Sequence, residues 1–229
     1  MRVLSDWVLT PSRAAVHLQT QTAVAADLHL GYAEARQSTG DAVPAMPVAA
    51  VLAPLKTAFA AYGVRRLVVA GDLFEAGPSA GLVNDFLSWL RGEGVELAAV
   101  VPGNHDRGIE KGFGLPVAAS GFDLAGWRVV HGDGPRPAGR VVQGHEHPWL
   151  RWGNGLAAAC YLVARDHLVL PAFSPDAAGV NVFHDGRWSG HRCYAIAGDA
   201  ILDFGRLDEL SGRRSARAII EQGQGARGR

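Results

Sequence analysis

Apolar runs of four or five residues alternate with polar, glycine-bearing turns through the first half of this chain of 229 residues. Thr22 to Ala26, Leu67 to Ala70 and Leu97 to Val101 read as buried strands. Between them, Val48 to Tyr62 carries apolar residues at helical spacing, and Gly63 can close that helix. Ser79 to Arg91 places Leu82, Val83, Phe86, Leu87 and Leu90 on one face, and Gly92 and Gly94 end it. Trp7 to Thr10 and Ala14 to Leu18, parted by Pro11-Ser12, predict a hairpin that leads into the first buried strand. Glu34 to Pro47 is polar and contains Gly and Pro, which predicts a mobile loop. The order strand, helix, strand, helix, strand argues for an α/β layer.

After residue 120 the pattern changes. Short strand-like runs recur at Phe122–Ala125, Trp127–Val130, Arg140–Gln143, Ala159–Ala164, Leu168–Leu170, Arg192–Ala197 and Ala200–Phe204, with turn signals such as Asp185-Gly186 and Gly198-Asp199 between some of them. Two sheets packed face to face with helices outside would hold both halves in one domain, residues 1–206. Residues 207–229 are expected to form an Arg/Gly-rich tail, partly disordered, with room for a short helix near Ser215–Gln222.

Composition narrows the picture only a little. A hydrophobic fraction of 48% with 19% charged residues is that of an ordinary globular protein. With 22 basic and 22 acidic residues, no global field recruits nucleic acid or an anionic membrane. Attraction for a polyanion must come from a local patch or a bound metal. Cys160 and Cys193 lie far apart in apolar contexts and are expected to be buried free thiols, as in a reducing cytosol. No apolar run approaches the ~18 residues of a membrane span. The expectation is a soluble cytoplasmic protein without membrane partners.

The chemistry is concentrated at strand ends. Asp27-x-His29, Gly71-Asp72, Gly103-Asn104-His105-Asp106, His131-Gly132-Asp133 and Gly144-His145-Glu146-His147 each follow an apolar strand. In open α/β sheets that edge is where ligands gather. Residues two apart in extended chain point to one face, so Asp27 with His29, and His145 with His147, can each offer two ligands to one side. Any one such segment is most often a solvated turn; their recurrence argues otherwise. Imidazole, carboxylate and amide donors suit Mn, Fe, Zn or related divalent metals, and no thiolate is placed to join them. Seven ligands exceed one ion's needs but suit two ions that share a carboxylate. His17, His167, His184 and His191 have no partner pattern and read as structural.

This ordered set, spanning residues 27 to 147, resembles the calcineurin-like metallophosphoesterase superfamily. The resemblance implies a four-layer αββα sandwich of two mixed β-sheets flanked by helices, with a dinuclear metal centre. Residue by residue, it implies Asp27, His29 and His147 on one metal, Asn104, His131 and His145 on the other, and Asp72 between them. His105 would protonate the leaving oxygen or stabilise the transition state, Asp106 would orient it, and a hydroxide between the metals would be the nucleophile.

Further runs, Asp27-Leu28-His29-Leu30-Gly31-Tyr32, Gly71-Asp72-Leu73-Phe74, Gly144-His145-Glu146-His147-Pro148 and Leu170-Pro171-Ala172-Phe173-Ser174-Pro175, resemble the bacterial ligase-associated DNA damage response endonuclease group. Glu75 stands where many of those relatives carry a histidine. The resemblance implies a cytoplasmic, manganese-dependent DNA repair endonuclease that prefers single strands or flexible structures, with helicase and ligase partners. Iron, zinc or cobalt would also satisfy the ligands. Arg36 is a candidate to grip a substrate phosphate. Arg213, Arg214, Arg217, Arg227 and Arg229 could add a salt-sensitive hold on nucleic acid, and Trp149 and Trp152 could stack on a base. The alternatives are a phosphodiesterase or phosphatase for a small ester such as a cyclic nucleotide, and a non-catalytic scaffold, against which the full set of ligands and His105 speaks.

Overall fold

A computed structural model describes residues 1–152, 156–183 and 185–210. The first sheet has six strands in sequence order: β1 (Arg2–Val3), β2 (Trp7–Leu9), β3 (Ala15–His17), β4 (Thr22–Ala25), β5 (Arg66–Ala70) and β6 (Glu96–Val101). The first four pair antiparallel; β4, β5 and β6 run parallel, so the sheet is mixed. Three helices accompany it: α1 (Tyr32–Ser38), α2 (Val48–Tyr62) and α3 (Ala80–Gly92).

The second sheet contains β7 (Phe122–Leu124), β8 (Trp127–Val130), β9 (Arg140–Gln143), β10 (Pro148–Trp152), β11 (Leu156–Ala164), β12 (His167–Val169), β13 (Val180–Asn181), β14 (Arg192–Ala197) and β15 (Ala200–Arg206). It too is mixed, with β8, β9 and β12 parallel and β11 antiparallel to its neighbours.

Period-two alternation sorts the strands' side chains into layers. Val24, Val68, Ala70, Val129, Val142, Tyr161 and Leu168 meet between the sheets. Their neighbours Ala23, Ala25, Leu67 and Val69 face outward and are covered by Leu52, Leu55 and Phe59 of α2 and Val83, Phe86 and Leu90 of α3. On the far side, Cys160, Leu162, Val169 and Cys193 lie beneath Trp188, Leu207 and Leu210, from a 3-10 turn at Gly186–Trp188 and a helical turn at 207–210. Strands covered on both faces must be apolar throughout, which explains the unbroken hydrophobic runs. The arrangement is the αββα sandwich.

One expectation is corrected. Part of the supposed loop 34–47 is helical: α1 begins at Tyr32, after Gly31 in the left-handed conformation, and buries no residue, so no apolar stripe announces it. The Asp185-Gly186 pair starts the 3-10 turn, with the Asp185 carboxylate accepting from Arg187 N–H. Residues 211–229, with the tail arginines and the helix near Ser215–Gln222, lie outside the described residues, as do His184 and the Trp152 side chain. Among the described residues no helix is long and apolar enough to cross a membrane. Cys160 and Cys193 are buried free thiols.

Candidate metal centre

The C-terminal ends of the parallel strands in both sheets meet at one place. Loops 26–30 and 71–75 continue side by side past β4 and β5: Asp27 N–H donates to Gly71 O, His29 N–H to Asp72 O, and Glu75 N–H to Leu30 O. The segment after β12 is tied to the same place, Phe173 N–H donating to Ala26 O and Ser174 N–H to Asp27 O. This lacing sustains unusual backbone. Asp27 (φ 56°), His29 (48°), Asp72 (50°), His145 (65°) and His147 (42°) are all left-handed, at a cost of roughly 1–3 kcal/mol each. Side chains larger than hydrogen are excluded nearby. A Cβ on Gly71 would collide with the His131 ring, and one on Gly103 with the Asp72 carboxylate.

The polar atoms converge in overlapping groups: Asp27 with His29 and His147; Asp72 with His131 and His145; and His29 with Asp72 and His105. Within each, the potential ligand atoms lie within 4.8 Å of one another. His147 Nε2 is 3.5 Å from Asp27 Oδ1. His131 Nε2 lies 3.1 Å from Asn104 Oδ1, 3.1 Å from His145 Nδ1 and 3.4 Å from Asp72 Oδ2. Asp27 and Asp72 are at the buried floor, and the side chains of His105, 38% exposed, and His147, 19% exposed, stand at the mouth.

Hydrogen bonding on the far side of each ring fixes which nitrogen faces inward. His131 Nδ1–H donates to Ala70 O, His147 Nδ1–H to Ala178 O and His105 Nδ1–H to Glu75 O, which turns each Nε2 toward the site. Asp27 accepts the His145 N–H and Asp72 accepts the His105 N–H, at 3.0 and 2.8 Å.

Two features test whether this set fits divalent metal. His29 is buried with neither ring nitrogen in a hydrogen bond; its Nδ1 is 2.7 Å from Glu75 Oε2 but out of line for one. Around His131 Nε2, Asn104 Oδ1, His145 Nδ1 and Asp72 Oδ2 gather within 3.4 Å, a mixed nitrogen and oxygen set of the kind divalent ions take. The residues fit. Burial works against charge on His147, but the Asp27 carboxylate outweighs it, with help from Ala178 O and Asp72, so its pKa is raised. A proton therefore competes with metal for that nitrogen.

All seven residues expected as ligands lie at this centre, with His105 at its edge. One expectation fails. Asp106 does not reach the His105 ring: its buried carboxylate accepts from the backbone N–H groups of Leu73, Phe74 and Gly103. Burial raises its pKa, against the pull of those bonds. Arg36, on α1, is ion-paired with Asp41 at 2.7 Å. Trp149 packs against Gly179. Sequence reasoning gave no role to Glu75, although a carboxylate three residues beyond Asp72 in one loop was a usable signal.

A cleft of about 290 Å³, lined in part by Pro102, Ser120, Asp133, Arg136 and Gln143, opens beside the centre and shares His131 with it.

No family model and no curated protein matches the sequence significantly. Among solved structures, the Pseudomonas putida nuclease MPE superposes with a TM-score of 0.69 at 21% identity, covering 86% of this chain and 94% of that one. The chain has the metallophosphoesterase fold. The phosphoesterase Yfce from E. coli is also similar, at a TM-score of 0.43 and 18% identity over 81% of this chain and 98% of that one.

Proposed function

We propose that this chain is a dinuclear-metal-dependent phosphodiesterase that cleaves DNA internally, as a repair endonuclease. The observation that carries the reading is the overlap of the groups: His29 belongs with Asp27 and His147 and also with Asp72 and His105, and Asp72 belongs with His131 and His145, whose neighbour Asn104 lies 3.1 Å from His131 Nε2. In this reading Asp27, His29 and His147 hold one divalent ion, Asn104, His131 and His145 hold the other, and Asp72 is shared. Two such ions, when bound, polarise phosphoryl oxygens and acidify a water. Manganese is the proposed metal; the ligand types alone also accept iron, zinc and cobalt.

The chain's own groups supply the remaining steps. His105, anchored through Nδ1–H to the Glu75 carbonyl, presents Nε2 at the mouth and donates a proton from it to the departing oxygen. Glu75 Oε2 lies 3.7 Å from His105 Nδ1, beside the same ring. The rigid loops fix these groups before substrate arrives, which lowers the reorganisation needed during reaction. DNA as substrate draws support from the subgroup motifs and from the nuclease of like fold. Residues 1–206 are proposed to form a single phosphoesterase domain, onto which Leu207 and Leu210 of the following turn pack, with a cytoplasmic site of action beside a helicase and a ligase.

Plasmid nicking with manganese tests the proposal. The wild type is expected to nick, while His105→Ala and Asn104→Ala lose activity by roughly two orders of magnitude or more. A wild type that leaves DNA intact but cleaves a small aryl phosphodiester would move the assignment to small esters.

A further inference from the structure

Glu75 places a carboxylate at the rim of the centre. Its side chain is 20% exposed, and Oε2 lies 2.7 Å from His29 Nδ1 and 3.7 Å from His105 Nδ1. The two rings stand edge to face, 5.0 Å apart, with the carboxylate against both. Among the described residues its ion-pair contacts are these two histidines; no lysine or arginine neutralises it. The backbone holds it in place, since its N–H donates to Leu30 O and its carbonyl accepts from His105.

A fixed negative charge beside the most exposed imidazole acts on any anion that enters. A phosphodiester carries one negative charge, whereas a phosphomonoester carries about 1.5 to 2 near pH 7. We propose that Glu75 is a specificity-determining residue that favours phosphodiesters over phosphomonoesters by repelling the second charge. The inference rests on the phosphoesterase reading of this centre. It holds whether or not His105 is charged, because removing the carboxylate shifts the local potential by one full charge in either case. Separations of a few ångströms are shorter than the screening length of about 8 Å in physiological salt, so salt does not erase the effect.

The test uses the full chain loaded with manganese. Glu75→Gln keeps size and an acceptor oxygen but removes the charge; Glu75→Asp keeps the charge. Three quantities are compared: kcat/KM for bis(p-nitrophenyl) phosphate and for p-nitrophenyl phosphate, inorganic phosphate affinity by calorimetry, and manganese bound per chain. Glu75→Gln is expected to raise the monoester-to-diester ratio about ten-fold and to tighten phosphate by a similar factor, with manganese content unchanged. Glu75→Asp is expected to keep the wild-type ratio. A residue that only braces the loop would lower both ester rates together, so an unchanged ratio in Glu75→Gln overturns the proposal. If that variant does not fold, Glu75→Ser carries the same expectation and the same refutation. A wild type inactive on both esters would count against the phosphoesterase reading itself; the phosphate titrations would then decide the role of Glu75, and equal affinities would overturn it.

Discussion

Asp106 follows His105 in the chain, yet its carboxylate turns the other way and collects the N–H groups of Leu73, Phe74 and Gly103. Adjacency in sequence made it look like the partner of the imidazole, because a carboxylate beside a catalytic histidine is a common arrangement. Backbone donors at the buried turn had the stronger claim, since leaving them unpaired costs more than any single pairing gains. The candidate ligands were legible because each follows an apolar strand; the partners that orient them were not, because most are backbone carbonyls, which no side-chain identity reveals. Asp106→Asn keeps only one of the two acceptor oxygens. It should lower unfolding free energy by about 1–3 kcal/mol in urea titrations and leave the pH profile of activity in place. An unchanged stability with a displaced pH profile would restore Asp106 to the role of orienting His105.

Among the elements, α2 and α3 were readable because each buries one face against the first sheet and has its boundary marked. Gly63 closes α2 in the left-handed conformation, and Ser79 Oγ caps α3 by accepting from Leu82 N–H. α1 and β10 escaped for opposite reasons. The first is exposed on every side, and the second starts at a proline and mixes tryptophan with arginine, so neither shows a clean period. Ser79→Ala should lower stability by about 1 kcal/mol through loss of the cap, measured by thermal or urea unfolding, with phosphoesterase activity intact. Gly103→Ala should instead leave the helices folded and lower metal uptake, because the added methyl meets the Asp72 carboxylate; calorimetric titration with manganese reads this directly.

At the scale of the whole molecule, two sheets share one core and carry two unlike histidine clusters. Away from the metal centre, His167 Nε2–H donates to Gln143 Oε1, and His167 Nδ1 accepts from His191 Nε2–H, all buried. Burial, with Arg136 and His191 adding to it, pushes the His167 pKa down to about 3, and burial lowers that of His191 as well. The unfolded chain, with histidine near 6.5, binds more protons than the folded one in between. Stability should therefore fall as pH drops from about 6.5 toward about 3. In His167→Gln the slope of unfolding free energy against pH should be shallower across that window, as urea titrations at several pH values would show. The sequence offers no partner pattern for His167 or His191, and both are buried; that they bond to each other depends on β12 and the chain entering β14 lying together, which no local pattern states.

Two cations sharing Asp72 are the centre of the proposed chemistry. Anomalous diffraction from crystals grown with manganese tests this most directly. It should give two peaks roughly 3.5–4 Å apart, one among Asp27, His29 and His147 and one among Asn104, His131 and His145, with Asp72 between them. A single peak, or none at saturating manganese, would contradict it.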